Sequence, residues 1–220
     1  MKKSLISLLV LFATLTATAQ DIVLPAPQTT LTKKQKGMTL VEALATRHSV
    51  RNFSDVSLSE QTISNLCWAA VGVQRDAKHT TNPTARNCQE IRLFVFTPKG
   101  AYEYIPEKNL LRFVFNGDLR KLLMSNHEGD EFRQEFVMSA PVSLVLVYDL
   151  ERMPGDESRT RQMCMVDAGI ACQNINLYCQ AVGLATVPRA TMDVERIREM
   201  LQLTHLQYPI MNNPVGYEAK

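Results

Sequence analysis

The stretch Pro141-Val142-Ser143-Leu144-Val145-Leu146-Val147-Tyr148 decides the fold class of this 220-residue chain. Its residues are apolar almost without interruption, which is typical of a strand buried on both faces. Such a strand needs cover on two sides, so helices should pack on both faces of its sheet. Strand-like runs precede it at residues 91–97, 101–104 and 111–115. The pattern predicts an α+β fold in which helices flank a central mixed or antiparallel sheet.

Segments on both sides of this strand in the sequence have apolar residues at helical spacing. The strongest helix is predicted over residues 161–182, where apolar side chains recur every three or four positions and also occupy other faces. A helix that is apolar on most sides is buried either in a core or in a subunit interface. Shorter helices are predicted over residues 40–46 after the capping box Thr39-Leu40-Val41-Glu42, from residues 57–59 to Gly72, over 119–124 and over 194–201 after Asp193.

The N-terminus has the features of an export signal. Lys2 and Lys3 precede an apolar run over residues 5–15, and Ala17-Thr18-Ala19 supplies the small residues that signal peptidase accepts. We therefore expect residues 1–19 to be removed, with export to the periplasm and no stable membrane insertion of the mature chain; the alternative is an uncleaved membrane anchor. Residues 20–37 are expected to form a linker without a core of its own, and residues 38–220 the folded domain.

Charge and cysteine content narrow the function. The net charge of +2 gives no basic field of the kind that marks nucleic-acid-binding proteins, so no nucleic-acid partner is expected. The five cysteines contain no Cys-x-x-Cys pair, and the scattered histidines show no metal-ligand spacing, so no metal site is predicted. The cysteines are interpreted as buried apolar residues, and one disulfide remains the alternative.

Two guanidinium groups and a hydroxyl lie within the five residues Arg47-His48-Ser49-Val50-Arg51. In an extended stretch, the first, third and fifth of these side chains point the same way. Arginine suits phosphate because its planar group donates two hydrogen bonds at once. The segment is therefore a candidate phosphate site, although basic clusters are more often solvated surface.

Several segments together resemble a known family. The pattern Arg-x-Ser-x-Arg-x-Phe, from Arg47 to Phe53, resembles the opening signature of the nitroreductase family. The stretch Pro83-Thr84-Ala85-Arg86-Asn87-Cys88-Gln89 is similar to the family's Pro-Ser-x-x-Asn-x-Gln loop. Residues 173–177 and 183–188 resemble its interface helix and the turn that follows. Shorter matches at residues 66–72 and 102–104 resemble the branch related to azoline dehydrogenases.

The resemblance implies an intertwined homodimer with one FMN in each of two interfacial sites. The residues that it places at the flavin are Arg47, His48, Ser49, Arg51, Pro83, Thr84, Asn87, Gln89, Pro188, Arg189, Ala190, Thr191 and Lys220. The segment 47–51 would bind the phosphate and ribityl end, with Lys220 reaching the phosphate. Thr84 would come from the partner subunit, and Asn87 would bind the pyrimidine edge. The turn 188–191 would pass over the flavin with a backbone N–H near N5.

The implied activity is two-electron transfer through flavin N5 to nitro compounds, quinones or other small acceptors, with NAD(P)H as a possible donor. The alternatives are an FMN-dependent dehydrogenase of a small molecule or modified peptide that needs no NAD(P)H, and a flavin-binding protein without turnover. The resemblance leads us to expect a glycine at position 86 and one in the stretch 189–191, but this chain has Arg86, and Arg189, Ala190 and Thr191. These arginines either attract an anionic substrate or are solvated.

The C-terminal segment, residues 207–220, holds strand-like residues but no evident local partner for its backbone. Buried backbone groups need hydrogen bonds. We expect this segment to lie across the partner subunit, as the family's exchanged arm does; the alternative is a tail folded onto its own subunit.

Overall fold

The computed structural model describes residues 20–30 and 37–220. Its strands are β1 (Ile22–Val23), β2 (Val73–Gln74), β3 (His79–Thr80), β4 (Ile91–Phe96), β5 (Gly100–Ile105), β6 (Leu110–Asn116), β7 (Val142–Asp149), β8 (Ala185–Thr186) and β9 (Gln207–Gly216). Its α-helices are α1 (Leu40–Thr46), α2 (Glu60–Val71), α3 (Glu157–Val182) and α4 (Val194–Met200). Short 3₁₀ helices cover Ala85–Asn87, Pro106–Lys108, Leu119–Leu123 and Glu135–Ser139.

One seven-stranded sheet forms the centre of the molecule, in the order β1-β6-β5-β4-β7-β9-β8, and β2 with β3 forms a separate hairpin. All neighbouring strands are antiparallel. Every residue of β7 is buried, as its apolar run predicts. Leu144 and Leu146 face a core built with α2 and α3, whereas Val145 and Val147 face a second core with α4. The predicted α+β fold with helices on both faces is confirmed.

The helix boundaries follow from local capping. Thr39 and Glu42 form the predicted capping box, with Glu42 N–H donating to Thr39 Oγ1 at 3.2 Å. Helix α3 begins four residues before the predicted start because Asp156 caps it, accepting the Arg159 N–H at 3.0 Å. Its first turn is polar, so apolar spacing does not reveal it. Residues 119–123 form a 3₁₀ helix.

The five cysteines are unpaired. Four are buried and Cys88 is half-buried. Burial raises the pKa of the Cys67 and Cys179 thiols well above the ordinary value. The interpretation of the cysteines as apolar core residues is confirmed.

Residues 22–28 belong to the domain, so the linker interpretation of residues 20–37 is wrong for their first part. Strand β1 pairs with Leu110 and Leu111 of β6. Leu24 is 5% exposed, and the Ser64 hydroxyl donates to Pro25 O at 2.6 Å. The sequence did not reveal this because the partners lie about 40 to 90 residues away along the chain.

The predicted signal peptide lies outside the described residues, among which no helix is long and apolar enough to span a membrane.

The C-terminal segment also folds onto its own chain. Strand β9 pairs with β7 from Val142↔Val215 to Asp149↔Gln207. Beyond β9, Ala219 N–H donates to Asn52 O at 3.1 Å. The prediction of a tail without a local partner, laid across the other subunit, is therefore wrong. Its strand character was visible, but its distant partner strand satisfies the backbone groups within one chain.

Candidate functional site

The segment from Arg47 to Arg51 leaves α1 and runs extended along β8. Val50 N–H donates to Thr186 O at 3.0 Å, and the Val50 side chain is buried in a small core. Because Val50 points inwards and neighbours in an extended stretch alternate, Ser49 and Arg51 point outwards. Arg47 is half-buried, whereas His48 and Arg51 are exposed.

Two other predicted segments lie beside this one. The C-terminus reaches it through a bridge between Phe53 and Glu218, which places Lys220 near the end of the Arg47–Arg51 segment. The turn 188–191 follows β8 directly, and the charge of Arg51 acts on Arg189. The structure thus brings the Arg47–Arg51 segment together with the turn 188–191 and Lys220.

The polar side chains of Arg47, Ser49, Arg51 and Lys220 make no hydrogen bond or ion pair with any residue that the structure describes. His48 is different, since its Nδ1 lies 3.2 Å from Thr46 O. Three cationic groups and a hydroxyl without protein partners on one surface are suited to hold an anion.

Arg189 is neither solvated nor available to a substrate, which corrects both expectations for this residue. Its side chain is only 6% exposed and donates to Gln134 Oε1, Asn212 Oδ1 and Leu123 O at 2.9, 2.7 and 2.6 Å. The guanidinium also lies 5.4 Å from the centre of the Phe136 ring. Burial, followed by the nearby Arg51, lowers the pKa of Arg189 to about 10. An anion near Arg51 would therefore favour the charged form of Arg189.

The backbone of the turn 188–191 is only partly engaged. Arg189 N–H donates to Asn212 O at 2.9 Å, so it is not free for a ligand. The N–H groups of Ala190 and Thr191 have no acceptor within the described residues. Pro188 is half-buried and carries no N–H. A backbone donor for a ligand at this turn would come from Ala190 or Thr191.

The second predicted loop, residues 83–89, is tightly held. Ala85 N–H donates to Asp167 Oδ2 at 2.7 Å, and Gln89 N–H donates to Thr84 Oγ1 at 2.9 Å. The side-chain amides of Asn87 and Gln89 both donate to Lys78 O, at 3.0 and 2.6 Å. Pro83, which opens the loop, is exposed. The loop is therefore an ordered platform rather than a free connection.

Arg86 adopts the left-handed conformation that favours glycine, with φ of 55°. This conformation is compatible with the glycine that the resemblance implies at this position. Its guanidinium donates to Pro154 O at 2.8 Å and remains exposed. Of the two expectations for Arg86, a surface role fits these contacts.

The two groups of predicted site residues contact opposite parts of α3. The loop 83–89 is tied to Asp167, whereas the start of the Arg47–Arg51 segment is tied to Gln180, whose amide donates to Thr46 Oγ1 at 3.1 Å. At a rise of about 1.5 Å per residue, these two points on the helix are about 20 Å apart. One chain alone does not assemble the complete predicted site.

Several residues of this region had no signal in the sequence. Gln134, Phe136 and Asn212 surround Arg189 from three separate segments. Asp167 holds the loop 83–89 from within a helix that was recognised only by its apolar spacing. Each acts through a long-range contact, which local patterns do not predict.

The protein is therefore an α+β protein in which the cationic Arg47–Arg51 segment lies on the surface beside the last strands of an antiparallel sheet. The sequence profile of the nitroreductase family matches residues 44–217, so the chain belongs to the nitroreductase family. Members of this family are oxidoreductases.

Individual relatives agree with this assignment. A Methanocaldococcus jannaschii protein that is named as a nitroreductase is 27% identical over 187 residues, covering 80% of this chain and 90% of the relative. A solved structure from Ralstonia eutropha, also named as a nitroreductase, is 30% identical with a TM-score of 0.79, covering 93% of this chain and 92% of the other. A nitroreductase family protein from Clostridium difficile shares the fold, with a TM-score of 0.61 at 22% identity over 83% of this chain and 86% of the other.

Proposed function

We propose that the protein is an exported, homodimeric, FMN-dependent oxidoreductase that transfers two electrons to nitro compounds, quinones or similar small acceptors. The observation that carries this proposal is the grouping of Arg47, Ser49, Arg51 and Lys220, whose polar groups have no partner among the described residues. Family membership supplies the expectation of a flavin.

The residues present fit the phosphate end of FMN. A phosphate group has several acceptor oxygens and a negative charge, which match two arginines, one hydroxyl and one lysine. The buried Arg189 has no carboxylate partner in the described part of the chain, and a phosphate near Arg51 would offset its charge. The free N–H of Ala190 or Thr191 would orient the ring end and stabilise negative charge there.

A dimer completes the site in this proposal. Apolar side chains are exposed along α1 and α3, among them Val41 at 74% and Val166 at 63%. In a twofold dimer built on this face, two α3 helices that cross antiparallel bring the Asp167 region of one chain to the Gln180 region of the other. The loop 83–89 of each subunit would then meet the Arg47–Arg51 segment of its partner.

Bound FMN would supply the redox chemistry, by taking two electrons from a donor and passing them to an acceptor. This chain's residues would hold the phosphate, orient the ring and admit the substrate. NAD(P)H is one donor class. If addition of NADH or NADPH under anaerobic conditions bleaches the yellow protein, it serves as donor; a protein that stays yellow favours a dehydrogenase that needs no nicotinamide.

FMN binding tests the proposal. Arg47→Ala and Arg51→Ala should each weaken FMN affinity by roughly 1.5–3 kcal/mol, because each removes a charge-assisted hydrogen bond. Lys99→Ala is a matched control, since Lys99 is an exposed cation on the turn between β4 and β5. Titration of flavin-free protein with FMN measures the three affinities. Protein that takes up no FMN would falsify the proposal, and equal affinities would remove these arginines from the site.

The prediction of export is based only on the signal-like residues 1–19. If it occurs, protein recovered from the producing cell should begin at Gln20, which mass spectrometry of the intact chain measures. An intact Met1 on all of the protein would contradict it.

A further inference from the structure

Two buried carboxyl groups lie beneath the loop 83–89. Asp167 of α3 is 6% exposed and accepts the Ala85 N–H through Oδ2 at 2.7 Å. Glu90 directly follows the loop and has no exposed surface. Its main-chain carbonyl accepts the Asp149 N–H at 2.9 Å, which fixes it beside β7. The Asp167 carboxyl thus holds the beginning of the loop, and Glu90 follows its last residue.

The carboxyl oxygens of Glu90 receive no hydrogen bond from any other residue in the described part of the chain. A buried carboxylate without donors is costly. The carboxyl of Asp167 is the neighbouring acid, close enough to raise the pKa of Glu90. Two carboxylates are both acceptors, so they can form a hydrogen bond only while one of them carries a proton.

The surroundings of Glu90 favour that proton. Burial, and then the neighbouring Asp167, raise the pKa of Glu90 to about 7, against a hydrogen bond from its own backbone N–H that lowers it. Arg152, at the end of β7, acts in the opposite direction, but its side chain is 51% exposed and donates to Gln89 O. The Cys164 thiol on α3 is another titratable neighbour, beside Cys88, and burial raises the pKa of Cys164 to about 12, so it stays uncharged.

The loop itself is under backbone strain. Arg86, Asn87 and Gln89 all adopt positive φ, between 51° and 55°. Residues other than glycine occupy this region at a cost of about 1 kcal/mol or more each, so external contacts must hold the loop in place. The hydrogen bond from Ala85 to Asp167 is such a contact.

We propose that Glu90 and Asp167 are positioning residues for the loop 83–89. They hold the loop while one proton lies between their carboxyls, and they release the loop when Glu90 ionises. Ionisation places two negative charges side by side in a buried site, and their repulsion weakens the attachment of Ala85 to Asp167. The consequence for the flavin site rests on the proposed function, in which this loop reaches the partner's FMN. The site would then be assembled more firmly at low pH than at high pH.

The sign of the pH dependence follows from proton linkage. The closed loop binds a proton on Glu90 up to about pH 7, whereas an open, solvated glutamate loses it near its ordinary value. Protection of the loop is therefore greatest at low pH and is lost as pH rises towards 7. The loss amounts to at most about tenfold per pH unit, and it levels off above pH 7.

Amide hydrogen exchange of residues 84–89 tests the proposal on the full mature protein as purified, with rates corrected for intrinsic exchange. In the wild type, protection should fall between pH 5 and pH 7. Glu90→Gln cannot ionise, and its protection should not change with pH. Glu131→Gln makes the same substitution at an exposed carboxyl and should behave like the wild type.

Protection that is constant with pH in the wild type, or that still falls in Glu90→Gln, would overturn the proposal. Exchange is read at the loop's own amides and not through the flavin, so the comparison of wild type with Glu90→Gln can be made whether or not FMN binds. FMN titration of the same proteins at pH 6 and pH 8 then separates the two ideas. A protein that never binds FMN refutes the proposed function while the exchange result still decides the role of Glu90.

Discussion

The guanidinium of Arg189 is buried without a carboxylate partner among the described residues, and three neutral oxygens stabilise its charge. These oxygens come from the segment 119–139 and from β9, so Arg189 ties the turn 188–191 to two other parts of the fold. A side chain in this position holds the backbone of a turn in which the N–H groups of Ala190 and Thr191 have no acceptor among the described residues.

Replacement of Arg189 by methionine keeps the length of the side chain but removes its donors. We expect Arg189→Met to lower the free energy of unfolding by roughly 2–4 kcal/mol, because three buried acceptors lose their partners. Arg86→Met is the control: Arg86 is exposed and its side chain donates one hydrogen bond, to Pro154 O, whose loss should cost less than about 1 kcal/mol. Urea unfolding measures both, and equal losses would contradict the role of Arg189.

At this scale the sequence predicted segments that lie together in the structure, but not how each side chain is used. The motif containing Arg47 and Arg51 identified a surface with free cationic groups. The turn after Pro188 was identified too, yet its arginine points into the protein because Gln134 and Asn212 accept its hydrogen bonds. Those acceptors lie more than 20 residues away along the chain, where a local motif carries no information.

Among the elements, strand β7 and helix α3 were predictable because burial leaves a periodic pattern in the sequence. The short edge strand β1 and the long strand β9 were not placed correctly. Each pairs with residues distant in sequence, Leu110 for β1 and β7 for β9, and no residue within either segment indicates the partner.

The docking of residues 22–28 on the domain leads to a matched pair of substitutions. Leu24→Ala should lower the free energy of unfolding by roughly 2–4 kcal/mol, because Leu24 is buried between β6 and α2. Val23→Ala changes the adjacent residue, which is 76% exposed, and should cost less than about 1 kcal/mol. Chemical denaturation compares the two. A negligible effect of Leu24→Ala would restore the interpretation of this segment as a linker.

In the whole molecule, the two halves of the proposed flavin site are separated by the length of α3 between Asp167 and Gln180. Exposed apolar side chains flank these two points on α3, with Met165 and Val166 before Asp167 and Val182 after Gln180. In the proposed dimer, each flavin site therefore uses the Arg47–Arg51 segment of one subunit and the loop 83–89 of the other.

Subunit complementation measures this most directly. One variant, Arg47→Ala/Arg51→Ala, loses the phosphate half; the other, Thr84→Ala/Asn87→Gly, loses the loop half while glycine keeps the left-handed backbone of position 87. Neither variant alone should bind FMN at wild-type affinity. Random assembly of the two, by co-expression, gives half mixed dimers with one intact site each, so about a quarter of all sites should recover wild-type affinity. A mixture in which no site recovers that affinity would contradict a flavin site shared between two chains.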